Sequence, residues 1–281
     1  MIDRKCWGIF RETSHSPGRE DDDTAILRVT ADKLRDKGFD VTVCEASAAE
    51  EALHTPGSCI FSMCEQHRII EDLLQAEKAG SIIVNRPGAV LNTYRHHTLE
   101  LFAKAKISAP SSRIVAADPR SPAPSFPVWI KRYDFHATQP SDVLFADNAA
   151  DWTKALTRFA ERGIPFVVIQ NHVPGDLIKF YGVRNPNMAA PTWFIWFYHR
   201  DQKLSGYAFD ESLLQRTACA AAGALGVEIF GGDAIVGFDG QPMIIDLNAW
   251  PSYALYRDTA SDAIAEHLEW RFTQQAASAV G

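Results

Sequence analysis

The sequence predicts a mixed α/β and α+β fold, with a parallel α/β unit at the N-terminus followed by two smaller α+β units. Three observations predict it: a strand, loop, helix, strand order in the first 44 residues, a proline-dense stretch over 108–127, and an apolar hairpin over 230–253 that carries carboxylates. Residues 6–10 form a short apolar run, followed by a polar stretch over 11–23. Apolar side chains then recur at helical spacing (Ala25, Ile26, Val29, Leu34), Gly38 supplies the stop, and residues 39–44 return as a strand. That order implies parallel strands joined by a crossover helix. Strands over 58–63 and 81–84, separated by a helix over 68–78, extend the unit and place its boundary at residue 88.

A single amphipathic helix is expected over 89–106. Beyond it Pro110, Pro119, Pro122, Pro124 and Pro127 punctuate the chain and signal a change of unit. The second unit, 89–172, is expected to hold a strand over 128–131, a polar loop through His136, a helix over 149–162 and a strand over 165–169. The third, 173–281, is expected to hold strands over 177–183 and 192–198, an alanine-rich helix over 213–225, the hairpin, and a helix over 260–272. No internal repeat is visible.

A chain of 281 residues that is 46% hydrophobic and 22% charged has enough apolar material for sizeable cores and is not a disordered polyelectrolyte. The net charge of −7 removes any global attraction to nucleic acid or anionic membrane, so an anionic ligand needs a local basic pocket. Five scattered cysteines (Cys6, Cys44, Cys59, Cys64, Cys219) with no CxxC pair fit reduced thiols better than a disulfide framework or a zinc site. The first residues lead into no signal-peptide core, and no run approaches the roughly 18 apolar residues of a membrane span. A cytoplasmic protein without nucleic-acid or membrane partners is expected.

The hairpin carries the chemistry. Apolar runs flank Asp239-Gly240, a strong turn signal. With those residues at the turn, Asp233 falls opposite Asp246, and Asn248, two residues on, shares the face of Asp246. Carboxylates opposed at roughly 5 Å repel, and a divalent cation removes the conflict. Two carboxylates and an amide oxygen make a hard donor set suited to Mg²⁺ or Mn²⁺ that keeps waters and shares phosphate oxygens. The competing reading is turn-proximal surface charge, since a hairpin register can slip.

Lys131 ends an apolar strand, and Lys179 interrupts Asp176-Leu-Ile-Lys179-Phe-Tyr-Gly-Val. Either alone reads more readily as the solvent side of a strand. Two of them, in different units and upstream of the hairpin, read as clamps on a polyphosphate, because phosphoryl transfer asks mainly for positioned cations. Between them an apolar strand runs into Gln170-Asn171-His172, able to offer backbone groups to an adenine edge, with Asp176 placed to accept from ribose hydroxyls.

In this order the pieces resemble the ATP-grasp superfamily over residues 85–258. The parallels are Asn85-Arg-Pro-Gly-Ala-Val-Leu and Ala103-Lys-Ala-Lys-Ile-Ser-Ala-Pro around the first connecting helix, Pro127-Val-Trp-Ile-Lys131 as the phosphate-lysine strand, and Val168-Ile-Gln-Asn-His-Val-Pro-Gly-Asp as the nucleotide hinge. Ile229-Phe-Gly-Gly-Asp233 with Ile245-Asp-Leu-Asn248 matches the metal pair. The resemblance implies ATP clamped between two α+β units and bridged to the acceptor by two Mg²⁺. It places Lys131 and Lys179 at the phosphates or adenine pocket, Gln170, Asn171 and His172 at adenine, Asp176 at ribose, and Asp233, Asp246 and Asn248 at the metals. Asp246 stands where ligases of the superfamily usually carry Glu. Inositol polyphosphate kinases of the same superfamily are more similar there, with a run like Asp246-Leu-Asn-Ala-Trp-Pro-Ser-Tyr253 and a histidine five residues after the phosphate lysine, matched by His136. The usual glycine-rich lid loop is here glycine-free, and Arg95-His96 replaces an acidic–basic pair.

Arg11, Ser14, Ser16 and Arg19 follow the first strand, where open α/β sheets bind ligands. By resemblance to carboxylate–amine ligases, Arg11 and Arg19 hold a substrate carboxylate. Arg95 or His96 is placed to approach the phosphates, with ordinary helix surface as the alternative, and Ser252, after Pro251, is placed to offer backbone amides to an anionic acceptor. The alternative is a solvated loop whose acidic run over 20–23 favours the next helix N-terminus. Arg200 and Arg216 are further basic candidates without assigned roles. His15, His96, His97 and His199 lack metal-ligand spacing. The resulting expectation is an ATP- and Mg²⁺-dependent carboxylate–amine ligase acting through an acyl phosphate on a small anionic substrate, dimeric by superfamily habit. An inositol phosphate-like kinase is the alternative, and a nucleotide-binding protein without turnover a third.

Overall fold

The computed structural model describes residues 5–134 and 137–278, with no account of the side chains beyond 274. Among these residues three four-stranded sheets organise the chain. The first is parallel, in the order β2-β1-β3-β4, from β1 (Lys5–Ile9), β2 (Asp40–Cys44), β3 (Cys59–Ser62) and β4 (Ile82–Val84). Parallel neighbours need long crossovers, supplied by α1 (Glu20–Asp36), α2 (Glu50–His54) and α3 (His67–Lys78). β1 is interior to the sheet and buries Cys6, Trp7 and Ile9 on both faces, which is why its run reads as continuously apolar.

The expected single helix over 89–106 is two helices, α4 (Pro87–Asn92) and α5 (Arg95–Ala105). Tyr94 between them is extended, and its buried hydroxyl donates to the Glu65 carbonyl at 2.6 Å, a tertiary bond that overrides helix periodicity.

The second sheet is antiparallel, in the order β5-β8-β6-β7, from β5 (Ser112–Ala116), β6 (Val128–Arg132), β7 (Val143–Ala146) and β8 (Phe166–Asn171). One face packs on α6 (Ala149–Glu161), burying Val128, Ile130, Val167 and Ile169 against Trp152, Leu156 and Phe159. Strand alternation therefore turns Trp129, Lys131, Val168 and Gln170 to the opposite face. β5 and β7 were not legible. β5 is a half-exposed edge strand between prolines, tolerated there because an edge leaves ladder groups unpaired.

The third sheet is antiparallel, in the order β10-β9-β11-β12, from β9 (Asp176–Val183), β10 (Trp193–Tyr198), β11 (Ile229–Val236) and β12 (Pro242–Ala249). α7 (Glu211–Leu225) backs it with fully buried Leu214, Ala218, Ala221, Ala222 and Leu225, and packs against α4 and α5. α8 (Arg257–Ser278) closes the chain against α1.

The β11–β12 hairpin realises the expected opposition by a different route. Its turn is not centred on Asp239-Gly240: Gly240 N–H bonds the Gly237 carbonyl at 3.0 Å, placing Phe238-Asp239 at the centre and Gly240 in the left-handed region at φ +69°. Val236 consequently pairs with Pro242, one residue out of the expected register. A bulge between Asp233 and Ala234 leaves Ile245 unpaired on β12, and beyond it Asp233 lies opposite Asp246.

Candidate active site

Asp233 and Asp246 face each other across β11 and β12, and Asn248 lies opposite Gly231 on the same face. On the neighbouring strand Lys179 is in register with Asp233, and its Nζ pairs with Asp233 Oδ1 at 2.8 Å. The Asn248 Oδ1 atom is buried and accepts no hydrogen bond among the described residues. A buried amide oxygen without a donor is costly, and a cation beside it would remove that cost. Gly231 keeps this end of the hairpin close-packed: a Cβ there would meet Pro251 Cγ at 2.6 Å and Tyr181 Cδ1 at 2.7 Å. Among the described residues no group of three or more His, Cys, Asp or Glu side chains could hold a metal. An ion between the two aspartates would therefore draw on the amide, on phosphate oxygens and on water, the usual habit of Mg²⁺. The donor set fits that ion.

Two cavities flank the carboxylate pair. The smaller, of about 280 Å³, is lined by Asp246, Lys131, Arg95 and Gln170 over apolar walls that include Phe102 and Val168. Lys131, 8% exposed, reaches across from β6 and donates to the Ile245 carbonyl at 3.1 Å. That carbonyl belongs to the bulged residue, so the irregularity that sets the carboxylate register also supplies the seat for the lysine. Burial pushes the Lys131 ammonium down to about 8; Asp246 and Asp233 oppose the fall and Arg95 adds to it. Burial likewise pulls Arg95, 7% exposed at the start of α5, below its ordinary value, against the opposing pull of Asp246 and Asp142. Two buried cations thus share this cavity with one carboxylate. An anionic ligand would balance them.

The larger cavity, of about 560 Å³, is lined by Asp233, Asn248, Arg19, Arg200, His199 and Ser252 among others. Arg19 donates to Ser252 Oγ at 3.3 Å, joining the loop after β1 to the turn after β12. No carboxylate lies within 4 Å of Arg19 or Arg200 among the described residues, whereas Lys179 is matched by Asp233.

Several expected site residues are placed differently. Asp176 is 1% exposed, and its two oxygens accept from the amides of Ser205, Gly206 and Tyr207 at 2.7, 2.8 and 3.2 Å. This corrects the ribose expectation: the carboxylate anchors the loop after β10. The amides of Asn171 and His172 are spent on the carbonyls of Ser111 and Pro127, so they are not open to an adenine edge. Asn171 is exposed, His172 Nδ1 meets Trp129 Nε1 at 3.2 Å, and the Gln170 side chain is what faces the small cavity.

Arg11 lines the larger cavity but is already engaged by protein groups. Its guanidinium pairs with Glu65 Oε1 at 2.8 Å and Asp23 Oδ2 at 3.6 Å, and donates to the Ala249 and Trp250 carbonyls. His136 lies outside the described residues. Arg216 pairs with Asp210 on the surface, and His96 sits against the Tyr133 carbonyl. Sequence reasoning missed Glu65 and the inward turn of Asp23, which accepts from Ser16 Oγ at 2.6 Å. Only the position of Asp23 late in the acidic run, one helical turn before the buried Leu27, hinted at it.

No family model matches the sequence, and no curated protein does. Solved structures match it over nearly its whole length. An ATP-grasp RimK domain protein from Sphaerobacter thermophilus superposes with a TM-score of 0.66 at 14% identity, covering 94% of this chain and 99% of that one. The D-alanine–D-alanine ligase of Bacillus anthracis, complexed with ATP, gives 0.68 at 12% identity, covering 96% and 99%. The ATP-grasp ligase PsnB, complexed with a minimal precursor, Mg and ADP, gives 0.65 at 14%, covering 97% and 100%. The chain has the ATP-grasp fold seen in these ligases. No helix among the described residues is long and apolar enough to cross a membrane.

Proposed function

We propose that the protein is an ATP- and Mg²⁺-dependent carboxylate–amine ligase. The observation that carries this reading is the Asp233–Asp246 pair with a cavity on each side, one rich in buried cations and the other lined by Arg19 and Arg200, which no carboxylate pairs among the described residues. In this reading the nucleotide enters the smaller cavity. Its base lies on the apolar walls near Gln170, and its phosphates run along Lys131 and Arg95 toward the carboxylates. Asp233, Asp246 and Asn248 would hold Mg²⁺, which supplies charge neutralisation at the β- and γ-phosphates. The acceptor occupies the larger cavity, an anionic group held by Arg19 with Arg200 as a second cation, and the Ser252 turn beside it.

The chemistry is acyl activation. An acceptor carboxylate oxygen attacks the γ-phosphorus, the bond from γ-phosphorus to the β–γ bridging oxygen breaks, and ADP leaves. Lys131 and Arg95 stabilise the charge that develops on the phosphate oxygens. The amine then attacks the acyl carbon, the bond to phosphate breaks, and a proton passes to solvent. Lys179, paired with Asp233 at 2.8 Å, would be free to meet the transferring group were that carboxylate to hold a cation instead.

A phosphoryl transfer to a polyol, as in a small-molecule kinase, is the second reading, favoured by Asp in place of Glu at 246. Incubation with ATP, Mg²⁺ and pools of carboxylates and amines separates the two. A ligase releases ADP and inorganic phosphate together, a kinase releases ADP alone, and absence of both would leave only nucleotide binding.

A further inference from the structure

We infer that Arg11 is a positioning residue for the Asn248 end of the hairpin, coupling the acceptor loop to the divalent-ion site; this rests on the reading above. Its side chain is 8% exposed, so its charge is lodged in the interior. There it joins segments distant in sequence: Glu65 in the connection from β3 to α3, Asp23 in the first turn of α1, and the carbonyls of Ala249 and Trp250 at the end of β12. Fastening the N-terminal loop alone would need only the two carboxylates. The remaining nitrogen, Nη2, donates to the carbonyls of the two residues directly after Asn248.

The backbone at those residues requires holding. Trp250 has φ +43°, a left-handed conformation unusual for a bulky side chain. The turn is fixed by the Trp250 amide donating to the Ile229 carbonyl at 2.9 Å, by the indole stacking on Phe61, and by Arg11 on the Trp250 carbonyl. This sharp turn brings Ser252 back to the cavity, where Arg19 meets it. Arg19 in turn sits in the segment that Asp23 steadies through Ser16. One guanidinium thus sets where the Asn248 amide oxygen points and how far the acceptor loop stands from it. A planar fork with several fixed donors can span carboxylates and carbonyls at once, which an ammonium cannot.

The test is Arg11→Lys, which keeps the charge beside Glu65 and Asp23 and loses the fork. Calorimetry of ATP uptake at graded Mg²⁺ should show the Mg²⁺ midpoint raised about ten-fold or more, the scale on which outer partners of metal ligands act. ATP affinity at saturating Mg²⁺ should match wild type. Glu65→Gln, which removes the charge fixing the fork, should raise the midpoint in the same direction, and it decides the matter if the lysine variant does not fold. An unchanged midpoint in the folded variant overturns the inference. So does an equal loss of ATP affinity at saturating Mg²⁺, the mark of general loosening. A wild-type protein with no Mg²⁺-dependent ATP uptake would instead overturn the functional reading itself.

Discussion

Lys131 and Lys179 stand on opposite sides of the cleft and look alike in the sequence, each a lysine in an apolar strand. In the fold they are opposites. Lys131, on the second sheet, is buried and donates to the carbonyl of Ile245, and burial pushes it down to about 8. Lys179, on the third sheet, keeps about a third of its side chain exposed and is matched by Asp233 at 2.8 Å. One side of the cleft holds a desolvated charge at a cost to stability. The other is neutral until something draws Asp233 away. A ligand carrying both phosphate and a divalent ion addresses both sides together, since the phosphate relieves Lys131 and the cation takes Asp233 from Lys179.

The contrast can be broken or sharpened by substitution. The largest effect is expected from Asp246→Asn, which should lower kcat by roughly 100- to 1,000-fold, the scale of losing a group that stabilises developing charge, measured as ADP release under saturating ATP. Lys131→Met should weaken ATP binding severely yet raise the stability of the ligand-free, metal-free protein at pH 7, by on the order of 3 kcal/mol. The sign follows from linkage. Between about pH 8 and 10.5 the unfolded wild-type chain keeps a lysine proton that the folded chain has lost, so wild-type stability rises with pH across that window. The advantage of the methionine variant should shrink over the same range in denaturant titrations.

On the acceptor side, Arg19→Ala should raise the acceptor KM by roughly ten- to a hundred-fold, the worth of a charge-assisted hydrogen bond, with ATP affinity unchanged. The smallest functional effect is expected from Asp176→Asn. It should cost about 1–3 kcal/mol of local stability and speed hydrogen exchange at Ser205, Gly206 and Tyr207. A selective loss of ATP affinity there would restore the ribose role.

The regular elements and the hairpin were largely legible in the sequence because both rest on local signals: apolar period, turn residues and strand alternation. The Asp233–Asp246 opposition was reached although the turn was misplaced by one residue, since the bulge at Ile245 compensated for it. Nothing in the sequence marked that bulge. The break at Tyr94, the strands β5 and β7, and the burial of Arg11 and Asp176 were not legible for a common reason. Each is decided by partners far along the chain, Glu65 for Tyr94 and the amides of 205–207 for Asp176. A polar residue that looks available to a ligand is indistinguishable in sequence from one already satisfied by backbone.

Calorimetric titration of ATP into the protein, with Mg²⁺ and again in chelator, tests most directly whether Asp233, Asp246 and Asn248 bind nucleotide through a divalent ion. Uptake that depends on Mg²⁺ and is weakened, with its Mg²⁺ dependence reduced, in Asp246→Asn is the expected result. Equal ATP affinity with and without Mg²⁺, or an Asp246→Asn variant that binds like wild type, would contradict it.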